Sequence, residues 1–232
     1  MRTNSLLLTA ALGLVGVAGV SAQSVYSVNA VGYVNKSILP GYNLIANPLN
    51  GTNNQVSTVL PAAALPDDTE CLTWNSVLQD FNQAIFVAGG AWFDQLGNPA
   101  VTVLAPGRGI FLRNTTPSSF VVTFVGEVPQ GVVNNTVGAN YDFVSSVVPQ
   151  SAGLSTLGFP GVPDMLYQTF NSSIQDYDQA IQFIGVQPGY PSGWADSLGN
   201  PIDPTPGVAQ GFLITNPPGS PAVAWNRTFS VN

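Results

Sequence analysis

The sequence contains no histidine, and this absence removes the chemistry that many hydrolases and metalloenzymes use. Without an imidazole, neither a Ser-His-Asp nor a Cys-His arrangement can activate a nucleophile, and zinc has no histidine ligand. Lys36 is the only lysine, so a lysine nucleophile or Schiff base is a poor candidate. The composition therefore argues against an enzyme, and no catalytic residue is predicted.

Cysteine and charge are also scarce. Cys71 is the only cysteine, so the chain cannot form an internal disulfide bond, and a buried thiol is its expected role. Charged residues make up 7% of the chain and the formal net charge is −7, a balance that offers no positive surface to nucleic acid. Because 45% of the residues are apolar, the low charge does not indicate disorder.

Residues 1–22 have the pattern of a secretory signal peptide. Arg2 precedes an uncharged apolar run over residues 6–20, and small residues at Val20 and Ala22 suit a cleavage site. The run is shorter than the roughly 20 residues that span a bilayer, so a cleaved signal is favoured over a membrane anchor. We expect cleavage near Ala22 and a product that is secreted or held at the cell surface, without a transmembrane segment.

The remaining chain contains an internal repeat. Residues 74–85 read WNSVLQDFNQAI and residues 170–181 read FNSSIQDYDQAI, with seven of the twelve positions identical. WFDQLGNP (92–99) is answered by WADSLGNP (194–201), and GIFLRN is answered further on by GFLITN. Blocks that keep the same order indicate a duplication of one structural unit.

Both copies consist of short β-type segments. Runs such as FVVTFVGEV, ECLTWN and GIFLRN are rich in Val, Ile, Phe and Thr, and Pro-Gly or Gly-Asn-Pro turns bound them. The best helical candidate is residues 53–60, which Pro61 would end. We therefore predict an all-β protein with two tandem, closely joined β-sandwich-like modules and short helical turns, at residues 23–128 and 129–232.

The order of these segments resembles a module of exported bacterial proteins. The stretches GYNLIANPL, CLTWN, LAPGRGIFLRN and VVTFVG carry the resemblance, which covers most of the first copy. The chain is especially similar to secreted repeat proteins of unknown function that end in a TFSVN-like strand. The second copy departs from the pattern at ANYDFVSS and PGVAQGF. The resemblance implies a secreted or surface β module and supplies no catalytic residue.

Carboxylates and amides are the remaining candidates for metal binding. QDFN places Asp80 and Asn82 at alternate positions, and QDYD places Asp176 and Asp178 in the same way. Ca²⁺ takes several oxygen ligands from a tight loop, so these four residues are the candidates for a calcium site, although the full EF-hand pattern is absent. The competing interpretation, which we favour, is an Asx turn in which the side chain bonds its own backbone. No other cofactor is expected.

The aromatic residues allow a carbohydrate-binding interpretation. Most of them recur in the repeat, and Phe170 takes the position of Trp74, which is typical of a buried apolar site. Trp74 and Phe170 are therefore predicted to be largely buried. Trp225 and Tyr190 have no partner in the first copy, which makes them the better candidates for an exposed glycan platform.

Two functional hypotheses of different class remain. The first is a non-catalytic structural or interaction protein of the cell surface or extracellular matrix, which self-associates or binds a surface partner through strand edges. The alternative is a carbohydrate-binding module. The stretches at 27–34, 121–128 and 226–231 look like versions of one strand, so the N-terminal segment is predicted either to pair within its own module or to supply a strand to a neighbouring molecule.

Overall fold

The computed structural model describes residues 30–87, 89–187 and 192–231. Those residues form an almost entirely β structure with antiparallel sheets, which confirms the predicted fold class. The predicted signal peptide, its cleavage site near Ala22 and the glycan candidate Tyr190 lie outside the described residues. Within the described part of the chain, no helix has the length and apolarity needed to cross a membrane.

The first half contains seven strands. They are β1 (Val31–Ile38), β2 (Gly41–Ala46), β3 (Glu70–Asn75), β4 (Asp80–Val87), β5 (Ala91–Asp94), β6 (Gly109–Asn114) and β7 (Phe120–Glu127). One helical turn, α1 (Val56–Val59), lies inside the predicted helical stretch, and a 3-10 turn (Ala62–Ala64) follows it. The N–H of Leu60 closes α1 on the carbonyl of Val56, and Pro61 comes next.

The described residues of the second half form nine strands, most of them short. They are β8 (Gly131–Val137), β9 (Tyr141–Val144), β10 (Leu166–Gln168), β11 (Phe170–Asn171), β12 (Asp176–Tyr177), β13 (Ile181–Ile184), β14 (Gly193–Ala195), β15 (Phe212–Thr215) and β16 (Val223–Phe229). Turns replace α1 in this half, and no helix occurs among its described residues.

The two halves have the same strand order. In the first half, a five-stranded sheet runs β2-β6-β3-β4-β5 beside a separate ribbon of β1 and β7. In the second half, the sheet runs β9-β15-β10-β13-β14 beside a ribbon of β8 and β16, and β11 and β12 form a separate short pair where the first half has the ends of β3 and β4. All these pairings join strands of the same half, and the predicted module boundary at residue 128 falls between β7 and β8.

In each half, the ribbon packs on one face of the five-stranded sheet. Ile38, Val122 and Phe124 of the first ribbon are buried against the sheet, in one cluster with Ile110 and Leu112 of β6. Alternate side chains of a strand point to opposite faces, so the same ribbon keeps its other face in solvent. The buried thiol of Cys71 belongs to this core, and burial raises its pKa to about 12.

The second face of each sheet is covered by the sheet of the other half. Leu44 and Phe111 from the first half form a buried cluster with Phe143 and Leu213 from the second. The ring centroids of Phe111 and Phe143 lie 5.5 Å apart in an edge-to-face arrangement. The molecule is therefore built in four layers, ribbon, sheet, sheet and ribbon. This explains why GIFLRN of β6 is apolar on both faces.

The N-terminal strand pairs within its own half, the first of the two alternatives predicted for it. β1 and β7 form an antiparallel ladder from Val31 opposite Glu127 to Ile38 opposite Phe120. The similar stretches at 27–34 and 121–128 thus include partners in one ribbon. The strand that takes the place of β1 in the second half is β8.

An unsatisfied buried amide marks a difference between the halves. The Oδ1 of Asn114 accepts hydrogen bonds from the N–H and hydroxyl of Thr116, at 2.9 and 2.8 Å. Asn216 takes the same place after β15, and its buried Oδ1 has no hydrogen-bond donor among the described residues. Two positions further on stands Pro218, which has no N–H to donate.

Replacing Pro218 by threonine is expected to stabilise the protein by about 1 kcal/mol. The new N–H and hydroxyl would satisfy Asn216, a gain of about 1–3 kcal/mol, while loss of the proline costs about 0.4–1 kcal/mol of chain entropy. Chemical denaturation measures the difference. The matched control is Pro217→Thr, which loses a proline without adding the bond; equal effects of the two changes would contradict the explanation.

Candidate functional site

The two halves are joined by reciprocal hydrogen bonds from two glutamines. Gln79 of the first half accepts from the N–H of Tyr141 (3.2 Å) and donates to its carbonyl (3.3 Å). Gln175 of the second half accepts from the N–H of Tyr42 (2.6 Å) and donates to its carbonyl (3.0 Å). Both glutamines precede the aspartate of the repeated QD motif and have a positive φ, 52° and 55°. Each half thus binds the same backbone position of the other.

The backbone crosses the boundary in the same reciprocal way. The N–H of Ala46 donates to the carbonyl of Ala209 (3.1 Å), and the N–H of Ser145 donates to the carbonyl of Gly107 (3.0 Å). The two backbone segments lie very close together here: a Cβ on Gly211 would be 2.8 Å from the carbonyl oxygen of Ile45. A side chain at that position would separate the two halves.

One ion pair departs from this reciprocity. Arg108 of the first half forms two hydrogen bonds to the carboxylate of Asp142, which is 1% exposed. The same carboxylate accepts from the N–H of Gly138 at 2.7 Å, and Arg108 also donates to the carbonyl of Thr136 at 3.0 Å. Asn43 takes the place of Asp142 in the first half, where its amide bonds the backbone of its own loop. The ion pair of Asp142 therefore has no counterpart at the corresponding position of the first half, where Asn43 is neutral.

Trp74 and Phe170 also lie at this interface. Neither is mostly exposed, which agrees with the predicted burial, and each packs at the margin of the layer between the sheets. The indole N–H of Trp74 donates to the carbonyl of Tyr141 at 2.8 Å. Phe170 lies edge-to-face on Phe111 at 5.1 Å. Their role is to join the halves.

The calcium candidates lie on exposed positions and are occupied by local hydrogen bonds. Asp80 and Asp176 each accept from the N–H of the next residue, at 2.7 and 2.8 Å. Asp178 accepts from the hydroxyl of Thr169 at 2.6 Å, and Asn82 is exposed on β4. In the described ranges, no group of three His, Cys, Asp or Glu side chains could hold a metal ion. The four candidates are thus divided between two hairpins, one in each half.

The Asx turns of these hairpins are made by other residues than the predicted ones. Asn75 accepts from the N–H of Val77 at 3.0 Å, and Asn171 accepts from the N–H of Ser173 at 3.1 Å. The repeated Asn-Ser pair that opens each turn was the signal for them. Asp80 and Asp176 stand on the far side of the turn, one residue after the glutamines that bind the opposite half.

Asp94 and Asp196 organise a second pair of exposed loops. The carboxylate of Asp94 accepts from the N–H groups of Asn98 (2.8 Å) and Leu96 (2.9 Å), and Asp196 makes the same bonds to Asn200 and Leu198. The hydrogen bonds from Asn98 and Asn200 are the main cause that lowers the pKa of each carboxyl. These carboxylates therefore hold the LGNP turns in shape.

We expect the carboxyl group of Asp94 to titrate below the ordinary aspartate value of 3.8. Its folded-state pKa is lowered, so its contribution to the loop is present at neutral pH and is lost as pH falls through the lowered value. Carbon-detected NMR of the carboxyl group, together with the amide shifts of Leu96 and Asn98, would follow the titration. A titration at or above 3.8 would contradict the hydrogen-bonded loop, and Asp94→Asn should abolish the acid-induced shift changes.

Trp225 is not an exposed platform, which corrects the prediction made from its sequence position. Its side chain is 3% exposed, because β16 turns it inward from the ribbon onto the sheet. Its indole N–H donates to the carbonyl of Leu157 at 2.9 Å, and its ring contacts Phe159 with centroids 4.9 Å apart. In the first ribbon the inward position is taken by the buried Val122, which is why no aromatic partner was found in the repeat.

The outer faces of the two ribbons differ in polarity. On the first ribbon, Tyr33 and Val125 stand directly opposite each other, with Val31 and Val121 on the same face, and all four are exposed. On the second ribbon, the exposed positions are largely polar. They are Asn134, Thr136, Asn226 and Thr228, with Val132 and Ala224. The outer side of the first ribbon therefore groups four exposed apolar side chains, here called the ribbon face (Val31, Tyr33, Val121 and Val125), beside polar Asn35, Ser37 and Thr123 and the charged Glu127 opposite Val31.

Comparisons with protein-family models, curated proteins and solved structures found no significant match.

Proposed function

We propose that the chain is an exported, non-catalytic structural or interaction protein of the cell surface or extracellular matrix, and that the ribbon face is its contact surface. The observation that carries this proposal is the exposure of Val31, Tyr33, Val121 and Val125 on one side of β1 and β7, at 52–74% each. Apolar side chains grouped on one face mark an interaction site more often than scattered ones do.

The occupant that we propose is a second copy of the chain. Two like-charged molecules repel each other, and this chain has a net charge of −7. The four residues that define the ribbon face carry no charge, and the carboxylate of Glu127 on the same side lies at one end of the ribbon, opposite Val31, so the charge on this side is confined to that end. Aromatic and β-branched side chains on one side of a β ribbon can pack on a second β surface.

Analytical ultracentrifugation over a series of protein concentrations tests this proposal. We expect reversible self-association of a protein that begins at Gln23, and we expect Tyr33→Lys to weaken it about tenfold or more by placing a cation at the centre of the face. The matched control is Val132→Lys on the second ribbon, which should leave association unchanged. Circular dichroism and a thermal melt confirm that both variants fold.

Two results would overturn the proposal. One is a wild-type protein that stays monomeric at every concentration. The other is an association that both lysine variants weaken equally. A protein that begins at Ala30 serves as a further comparison: if it associates while the longer protein does not, the residues before β1 cover the ribbon face and the occupant is this chain's own N-terminal segment.

A further inference from the structure

A cavity of about 410 Å³ opens in the second half beside the aromatic pair Phe183 and Trp194. Its apolar side is formed by these two rings with Phe159 and Ile202, and its polar side by Ser155 and Asp203. Ligand pockets in proteins typically measure about 300–1,000 Å³ and combine apolar and aromatic walls with a few polar groups. The cavity has the size and the lining of a site for a small molecule.

The corresponding aromatic pair in the first half is buried. Phe86 and Trp92 pair across β4 and β5 as Phe183 and Trp194 pair across β13 and β14. In the first half, α1 contacts β5, Phe86 is buried, and the indole N–H of Trp92 donates to the carbonyl of Leu60. Turns over residues 154–158 take the place of α1 in the second half, and the carbonyl of Leu157 there accepts from Trp225 and not from Trp194.

The indole of Trp194 is left with an unused donor at the wall of this cavity. Its Nε1 has no hydrogen-bond acceptor within the parts of the chain that the structure describes, although the ring itself is mostly buried against Phe159 and Phe183. Because Nε1 is not one of the buried polar atoms that lack a partner, it keeps contact with solvent and can donate to water or to a ligand. An acceptor atom on a ligand would supply a partner.

The polar side of the cavity supplies a positioned acceptor. Asp203 accepts from the N–H of Ser155 at 3.1 Å and from its hydroxyl, so the carboxylate is held in place and retains unused lone pairs. The neighbouring N–H of Leu154 is bonded to the carbonyl of Pro204 at 2.9 Å, which fixes the two segments together. Phe183 is held against Gly161, where a Cβ would overlap its ring.

We propose that this cavity binds a neutral sugar ring. The apolar C–H face of a pyranose would lie on Phe183 and Ile202, one hydroxyl oxygen would accept from Trp194, and another hydroxyl would donate to Asp203. Among the described residues no basic side chain lines the cavity, so an anionic ligand would meet an uncompensated carboxylate. A quaternary ammonium would leave the Trp194 donor unused and would need exposed ring faces, whereas Trp194 is 6% exposed. This proposal is independent of the self-association proposed above.

The proposal is tested by NMR on the full chain. The four tryptophans provide separate indole N–H signals, and the signal lost in Trp194→Phe identifies Trp194. The probes are glucose, galactose, mannose, N-acetylglucosamine, cellobiose and maltose, with choline chloride as a cationic comparison. We expect at least one sugar to shift the Trp194 indole signal in a saturable way and to leave the Trp92 signal unchanged.

Two variants separate binding from folding. Ile202→Trp would fill the cavity from its exposed rim and should abolish the shift while the thermal melt stays unchanged. Trp194→Phe keeps an aromatic ring but removes the donor, and it should weaken the same sugar about tenfold, as seen by calorimetry, while Trp92→Phe should not. The proposal fails if no sugar shifts the Trp194 signal, if binding survives Ile202→Trp, or if choline binds more tightly than every sugar.

Discussion

Replacing Arg108 by alanine is expected to lower the free energy of unfolding by about 3–5 kcal/mol. The change leaves the carboxylate of Asp142 buried, with the N–H of Gly138 as its remaining bond among those described above. A buried charge without its counter-ion costs more than the pair contributes, because desolvation is no longer offset. Urea denaturation monitored by tryptophan fluorescence measures the loss.

Two further variants distinguish the buried charge from a general loss of contacts. Asp142→Asn on the Arg108→Ala background should recover part of the stability, because the buried group is then neutral, as Asn43 is in the first half. Arg113→Ala is the matched control: Arg113 pairs with Glu70 at 2.8 Å, but its side chain is 41% exposed, so the expected cost is about 1 kcal/mol or less. Equal losses for Arg108→Ala and Arg113→Ala would show that burial of Asp142 does not matter.

Replacing Phe143 by alanine is expected to destabilise the protein by about 3–5 kcal/mol. Its ring lies at the centre of the layer between the two sheets, with centroids 5.3 Å from Trp74, 5.2 Å from Phe81 and 5.5 Å from Phe111. The cavity would open where the halves meet. Differential scanning calorimetry is therefore also expected to show weaker coupling between them, as a broadened or divided transition.

Tyr33→Ala provides the comparison for Phe143→Ala, because Tyr33 is a large aromatic side chain that is exposed on the first ribbon. Its removal should change the free energy of unfolding by no more than about 0.5 kcal/mol at a concentration where the protein is monomeric. A small effect of Phe143→Ala together with an unchanged transition would mean that the halves are held together by their hydrogen bonds alone.

The fold class was predictable because its signals are local. Short Val-, Phe- and Thr-rich runs between Gly and Pro turns define strands such as β3, β6 and β7, and the helical turn lies within the stretch before Pro61. The exported address and the biological role stay predictions. The duplication also stays a prediction, although two copies of one module would have the strand order that the two halves share.

The interface could not be predicted, because its signals are distant in the sequence. Nothing local indicates that Phe111 and Phe143 face each other, or that Gln79 reaches Tyr141 across the boundary. Trp225 was predicted to be exposed because the first copy has no aromatic residue to match it. The matching inward position is held by Val122, which is buried but not aromatic. The cavity beside Trp194 lies in the half where turns replace α1. That difference becomes apparent only when the two folded halves are compared.

The reciprocal contacts between the halves have a consequence for how their residues can vary. Exchange of the halves maps the Gln79–Tyr141 contact onto Gln175–Tyr42, which is the isologous geometry of a homodimer about a two-fold axis. In a true homodimer every substitution would appear on both sides. Tethering in one chain makes the encounter intramolecular and lifts that constraint. Arg108 and Asp142 use this freedom, since each charge is present once and the mirrored place keeps neutral Asn43. One polypeptide can thus be symmetric in its framework and asymmetric in its surfaces.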